Sequence, residues 1–326
     1  MPYSAETVRR ARRTLESRKA EKESIYQEHL YSAYEKLPRL RQIDKELKSS
    51  MALAAQAVFA GGGDAAAVME QVKQANLALQ QERKALVDAN FAPGYLDDSP
   101  ICPYCGGSGY VGATMCRCLE RLCRETQKKE IAMLTTGAER FDTFRLDYYP
   151  DRVDSRLGVS PRALMERNLK YCRQYAAAFP DGGNLLFVGG TGLGKTFLSA
   201  CIANAVTDRG VSVAYESAPH LFRKLENDRF RPDEESHANA ERFADCDLLI
   251  LDDLGTELPG NFVTAALYNL VNDRLMAEKC TIISTNLNID EIARRYSPQI
   301  ASRIQGCFKQ LPFAGEDIRV LKSKGI

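Results

Sequence analysis

The chain has 326 residues, which at roughly 100–200 residues per domain suggests about two domains and excludes a single small module. Lys and Arg number 44 against 43 Asp and Glu, a formal charge of +1, so no global positive excess drives the chain onto nucleic acid or acidic lipid. A hydrophobic content of 44% with 27% charged residues excludes wholesale disorder and a membrane protein. No apolar run approaches the ~18 residues of a spanning helix. The first 20 residues carry Arg9, Arg10, Arg12, Arg13, Arg18 and Lys19 but no apolar signal core, so the expected location is cytoplasmic. In that compartment ten cysteines do not suggest a disulfide framework, and the crowding of four into Cys102–Cys118 points to metal.

From Ala5 to about Lys48 the chain is rich in Glu, Lys, Arg and Leu, with Leu30, Tyr34, Leu37, Ile43 and Leu47 at loosely helical spacing and Pro38 expected to kink or break the helix. Gly61-Gly62-Gly63-Asp64 separates it from a second helix, Ala65 to about Asp88, with Asp64 as N-cap. An antiparallel hairpin or small bundle follows, whose outer face is either solvated or a partner-binding surface. Turn residues at 91–94 and Ser99-Pro100 precede the cysteines, and helical character resumes from Leu119 to about Leu134. Gly137 to Tyr149 reads as an extended linker anchored by Phe141, Phe144, Tyr148 and Tyr149, and Pro161 to Phe179 as an amphipathic helix. Beyond Asn184 short apolar runs alternate with helical patterns: Leu185–Val188, Val211–Glu216, Leu248–Asp252, Thr281–Thr285 and Phe308–Leu311. Such runs fit parallel strands covered on both faces, so the fold class is α/β.

Gly189-Gly190-Thr191-Gly192-Leu193-Gly194-Lys195-Thr196 matches G-x4-G-K-[ST] between a predicted strand and a predicted helix. Small residues let backbone N–H groups curl around a phosphate at a helix N-terminus, with Lys195 reaching the β- and γ-phosphates and the Thr196 hydroxyl on Mg²⁺. The run Leu248–Leu251 ends in Asp252-Asp253: Asp252 is expected on the magnesium shell and Asp253 on the attacking water. Many such enzymes carry Glu at the second position, and the shorter Asp suggests slow turnover. Asn286 ends the next strand, where its amide would bridge γ-phosphate and water. Arg303 lies in a helical stretch, Gln299 to Gln305, from which an arginine would reach a neighbouring subunit's nucleotide. No N-K-x-D guanine signature occurs, which favours ATP.

The ordered set GGTGLGKT, LLILDDLGTE, TIISTN, SRI and GEDIR resembles the AAA+ ATPases of the bacterial replicative-helicase loader group, the DnaC/DnaI/IstB-like proteins, over about Gly137 to Ile326. The resemblance implies a P-loop AAA+ domain with Asp252 on metal, Asp253 activating water, Asn286 as sensor 1, Arg303 as the trans-acting finger and Arg319 at the sensor 2 position. Seven residues follow Arg319, so a reduced or absent helical lid is expected. The implied activity is ATP-dependent loading of the hexameric replicative helicase onto single-stranded DNA, with self-association through the AAA+ domain and no membrane partner. The alternative is an IstB-like regulator of transposition on duplex DNA. Phe222, Arg223 and Lys224, after the second strand, are candidate DNA contacts, or else a solvated basic helix face.

Cys102-Pro-Tyr-Cys105 and Cys116-Arg-Cys118 form C-x2-C-x10-C-x-C around a glycine-rich turn, a pattern suited to tetrahedral Zn²⁺, with a redox pair as the competing reading. C-x-C is tighter than the usual C-x2-C, which leaves Cys123 as a possible substitute ligand. Zinc-bearing N-terminal regions occur in loaders of the DnaI type and are generally lacking in IstB-type helpers, so by resemblance the cluster separates the two. Cys172, Cys201, Cys246, Cys280 and Cys307 are expected to be small buried hydrophobes. The expected organisation is a helical partner-binding region at 1–98, a zinc module at 99–125, a linker and helix at 126–183 and an AAA+ ATPase at 184–326.

Overall fold

A computed structural model describes residues 3, 5–59, 65–134, 139–230 and 241–324. The chain divides into two compact units, Thr14–Thr114 and Met1–Arg13 with Met115–Ile326. No described helix is long and apolar enough to cross a membrane. The expected helix break at Gly61–Gly63, the Asp64 cap and Gly137 lie outside the described residues.

The smaller unit holds most of α1 (Ala5–Lys36) together with α2 (Pro38–Phe59) and α3 (Ala65–Asn90). Pro38 takes the first position of α2, where its missing N–H is not needed, so it breaks the helix and Leu37 forms the corner. Near the start of α2, Arg39 makes a two-pronged contact with Glu82 near the end of α3, both bonds 2.7 Å, which fixes the pair as antiparallel. Arg83 and Tyr34 both reach Asp44, at 2.7 and 2.8 Å. Ala33, Leu40 and Ile43 are fully buried here.

The larger unit is built on a five-stranded sheet in the order β4-β5-β6-β3-β7, comprising β3 (Asn184–Val188), β4 (Val213–Ser217), β5 (Leu248–Leu254), β6 (Cys280–Thr285) and β7 (Phe308–Pro312). Every pairing is parallel. Period-2 alternation sends Leu185, Phe187, Ile250 and Ile282 into one apolar layer and Leu186, Leu249, Leu251 and Ile283 into the other. The first layer is closed by α5 (Pro161–Ala178) and α6 (Lys195–Asp208); the second by α7 (Ala218–Phe230), α8 (Asn261–Met276), α9 (Ile289–Arg295) and α10 (Pro298–Cys307). This is the parallel α/β sheet covered on both faces that the apolar runs predict, each of its five strands falling on one of those runs. Helix α4 (Arg117–Leu134) packs beside the sheet, its Gln127 amide donating to Val213 O at 3.2 Å.

Two expectations need correction. Within 137–149 the described residues are not extended: they coil into short 3-10 turns at Phe141–Thr143 and Leu146–Tyr148. Burial of the aromatic side chains drives this; Tyr149 is buried and its hydroxyl donates to Leu193 O at 2.9 Å. Cys307 is exposed, unlike Cys172, Cys201, Cys246 and Cys280, because it ends α10 and Phe308 takes the next buried place after Ile300 and Ile304.

Arg274, on α8, is 1% exposed. Its guanidinium donates to the carbonyls of Phe243, Ala244, Cys246 and Cys280 and to the Thr281 hydroxyl, at 2.6–3.0 Å. A buried cation is tolerated because its donors are met.

Candidate functional site

Strand β3 lies between β6 and β7, so its carboxyl end opens onto the crevice where parallel α/β sheets take their ligands. The glycine-rich loop starts there. Gly192 adopts φ 73°, and a Cβ on it would fall inside the Asp317 carboxylate. Gly194 is the N-cap of α6 and Lys195 its first residue. The buried Lys195 ammonium donates to Gly189 O and Gly190 O, both at 2.7 Å. Burial lowers its pKa, an effect opposed by Asp253 and Asp252 and reinforced by Arg319.

The end of β5 carries the two carboxylates in different settings. Its register against β6 slips between Leu251 and Leu254, a bulge that re-aims the intervening side chains. Asp252 stays buried, accepting from the Ser284 hydroxyl and, at 3.1 Å, from the Tyr215 hydroxyl. Asp253 takes φ 56° and turns into the crevice, its N–H donating to Ser284 Oγ at 2.9 Å. Burial first, then the Asp252 charge, raise the Asp253 pKa against the opposing pull of Lys195 and Arg319. Asn286 follows β6 directly, and Arg319 sits on α11 (Ile318–Ser323). That helix is capped by Asp317 and tied to the loop by Ile318 N–H donating to Gly192 O at 3.0 Å.

Thr191 to Thr196, Asp253, Asn286 and Arg319 line one cavity of about 570 Å³. Phe144 and Tyr148 line it too, as do Thr256 and Lys322, none of which sequence patterns single out as site residues. Tyr215 and Ser284, which hold Asp252, were also missed; Ser284 lies inside the quoted TIISTN run, two residues before Asn286. The Thr196 hydroxyl and Asp252 are oxygen donors of the hard type that Mg²⁺ takes, which fits the ion. Arg303 is not on this cavity: its guanidinium rests 4.9 Å from the centre of the Tyr268 ring and donates to the Tyr268 hydroxyl at 2.9 Å. The expected DNA-contact trio does not hold together. Phe222 is buried in the second apolar layer, Lys224 pairs with Glu216 at 2.6 Å, and Arg223 alone is exposed.

At the other candidate centre the Sγ atoms of Cys102, Cys105, Cys116 and Cys118 lie within 4.8 Å of one another. A short hairpin, β1 (Tyr110–Val111) and β2 (Thr114–Met115), brings the second pair back to the first. Gly106 N–H closes a turn on Cys102 O at 2.9 Å, and Gly109 N–H points at Cys105 Sγ at 3.3 Å, the donation that steadies a thiolate. A four-sulfur donor set of this spacing fits zinc. Cys123 stands outside the group, fully buried, with its thiol pushed up to about 11 by burial and the nearby Glu120.

Residues 164–302 match the family model described as IstB-like ATP binding protein. The span contains the glycine-rich loop, both Asp residues and Asn286, but neither Arg303, Arg319 nor the clustered Cys102, Cys105, Cys116 and Cys118. The chain is 26% identical over 140 residues to the replicative helicase loader DnaC of Escherichia coli (strain K12), covering 42% of this chain and 56% of that protein. To the replicative helicase loader DnaI of Bacillus subtilis (strain 168) it is 28% identical over 117 residues, 36% of this chain and 37% of that one. The chain thus spans about half the length of the first relative and little over a third of the second. Among solved structures, the crystal structure of the DnaC helicase loader aligns with a TM-score of 0.46 at 22% identity, covering 54% of this chain and 97% of that one.

Proposed function

We propose that this chain, whose residues 164–302 match the IstB-like ATP-binding model and which is similar over part of its length to the loaders DnaC and DnaI, is an ATP-driven loader of the replicative DNA helicase onto single-stranded DNA. The observation that carries the nucleotide part is the convergence of Lys195, Asp253, Asn286 and Arg319, from four separate segments, on one cavity. In this reading the loop N–H groups and Lys195 hold the β- and γ-phosphates. Lys195 exchanges its two loop carbonyls for phosphate oxygens, a gain for an ammonium that burial has left short of counter-charge. Thr196 and Asp252 would hold magnesium, which would supply charge neutralisation for the phosphates. Asp253 orients and deprotonates the attacking water, Asn286 bridges water and γ-phosphate, and Arg319 contacts the nucleotide from α11. The short reach of Asp253 makes turnover slow.

Arg303 lies off its own cavity, on Tyr268, and is in this reading the group offered to a neighbouring copy, so ATP-bound chains assemble and hydrolysis releases them. The helical region and the cysteine module grip the helicase hexamer. Cys102, Cys105, Cys116 and Cys118 would hold zinc, which would supply the order of the module. The IstB-like description of the matched span keeps one rival open, a regulator of transposition on duplex DNA.

Co-purification with a hexameric replicative helicase, with and without ATP, separates the two. ATP-dependent capture by the full chain, lost in Lys195→Ala together with ATP binding, is the expected result. Retention on duplex DNA with no helicase capture would establish the rival instead.

A further inference from the structure

Asp253 is one of two non-glycine residues at positive φ among the described residues, and such a backbone persists only where its surroundings over-determine it. On the near side it is held by Ser284, which accepts its N–H, and its own carbonyl accepts from Thr256 N–H at 3.3 Å and Thr256 Oγ1 at 2.8 Å. On the far side the turn continues through Gly255, at φ 108°, whose N–H donates to Glu257 Oε2 at 2.9 Å. Glu257 is buried. Its other oxygen accepts from the Tyr296 hydroxyl and from Arg295 Nε at 3.3 Å, and its backbone carbonyl takes a further Arg295 N–H. Arg295 ends α9 and Tyr296 follows it, so one carboxylate clamps the turn after β5 to the helix pair α9–α10.

We propose that Glu257 is a positioning residue for Asp253, holding the left-handed turn that aims this short carboxylate into the nucleotide cavity. The proposal rests on the reading of Asp253 as the group that handles the attacking water. An aspartate is one methylene shorter than the glutamate many such enzymes use, so its reach is set by where the backbone stands. The bulge and the left-handed conformation carry Asp253 to the cavity wall while Asp252, one residue earlier, stays beneath it. A carboxylate suits the brace because it accepts on both oxygens, as the three converging donors require. Glutamine accepts on one oxygen only, so its amide nitrogen would meet either the Gly255 N–H or the Arg295 guanidinium, neither of which accepts.

The test compares full-length Glu257→Ala, Glu257→Gln, Tyr296→Phe and Asp253→Asn for affinity towards a fluorescent ATP analogue, for kcat and KM, and for melting temperature. Misplacing a reacting group lowers turnover without weakening phosphate binding, so kcat of Glu257→Ala is expected to fall on the order of 10- to 100-fold with analogue affinity within about threefold. Glu257→Gln and Tyr296→Phe, each losing part of the clamp, are expected between that variant and the parent. A kcat for Glu257→Ala within about twofold of the parent overturns the proposal, as does a parallel loss of affinity and kcat, which would make Glu257 a support of the whole pocket. Should Glu257→Ala fail to fold, Tyr296→Phe decides, and a parental kcat there overturns the brace. A parental rate in Asp253→Asn overturns the underlying reading and the brace with it; loss in that variant beside parental rates in the other three overturns the brace alone.

Discussion

The sheet and the cysteine module solve the same problem with opposite means. Around β3, β5 and β6 two apolar layers enclose side chains such as Leu185, Ile250, Ile282 and Ile283 that have no exposed surface, and burial of that kind stabilises without any ligand. Residues 102–118 have little to bury: the hairpin strands are two residues each, Tyr104 is 77% exposed and Val111 is 54% exposed. What they bring together instead is four sulfurs, where a bound metal would supply the order that burial does not. A region of the first kind is expected to tolerate loss of its ligand and to suffer from cavities; one of the second kind, the reverse.

On the proposed zinc reading, removal of the metal should produce the largest effect. Ligation of this type contributes roughly 10–16 kcal/mol of apparent free energy in small peptides, so chelation or Cys105→Ser should leave 99–118 open to protease and abolish one-to-one zinc stoichiometry. ATP-analogue binding should survive, and its loss on chelation would break the contrast. Cutting Ile282 to Ala opens a cavity in the middle of the sheet, and by analogy with other buried aliphatic truncations should destabilise by about 2–5 kcal/mol while zinc content stays unchanged. Calorimetry and metal analysis of the same preparation read both.

The smallest effect concerns Asp247, at the base of β5. Burial alone would raise its pKa, but hydrogen bonds from Lys279, at 2.8 Å, and from the Ser212 hydroxyl and N–H outweigh burial and lower it below 3.8. A depressed folded value means that the carboxylate contributes stability in full above the ordinary value of 3.8 and loses it as pH falls through the depressed one. Asp247→Asn should therefore lower the melting temperature at neutral pH by a few degrees, a loss of about 1 kcal/mol for a hydrogen-bonded pair of this exposure. Parent and variant should converge in acid, and a gap that persists there would assign the effect to packing.

What could be read without coordinates follows the range of the interactions involved. The glycine-rich loop, the strand runs and the C-x2-C turn are contiguous, and their spacing states their geometry. Ser284 and Tyr215 hold Asp252 from 32 and 37 residues away, and Tyr296 reaches Glu257 across 39. Such pairs depend on strand order, which periodicity does not encode, so Glu257, though it closes the quoted LLILDDLGTE run, receives no role from the sequence. Phe222 was misread for a related reason: beside Arg223 and Lys224 it looks like part of a basic surface, yet with Leu221 it forms the stripe of α7 that faces the sheet. The helix was legible there and its orientation was not.

Arg274 gives the larger unit an anchor of an unusual kind. Every oxygen it grips belongs to a peptide carbonyl or a threonine hydroxyl, none of which changes charge in water. The grip is therefore indifferent to acid, and its burial shields it from salt, whereas exposed ion pairs such as Arg39 with Glu82 weaken as ionic strength rises. The carbonyls of Phe243, Ala244 and Cys246 lie just ahead of β5, which begins at Leu248, so the strand that carries Asp252 and Asp253 is moored at its entrance. Brine or mild acid should loosen the helical hairpin long before it shifts that mooring.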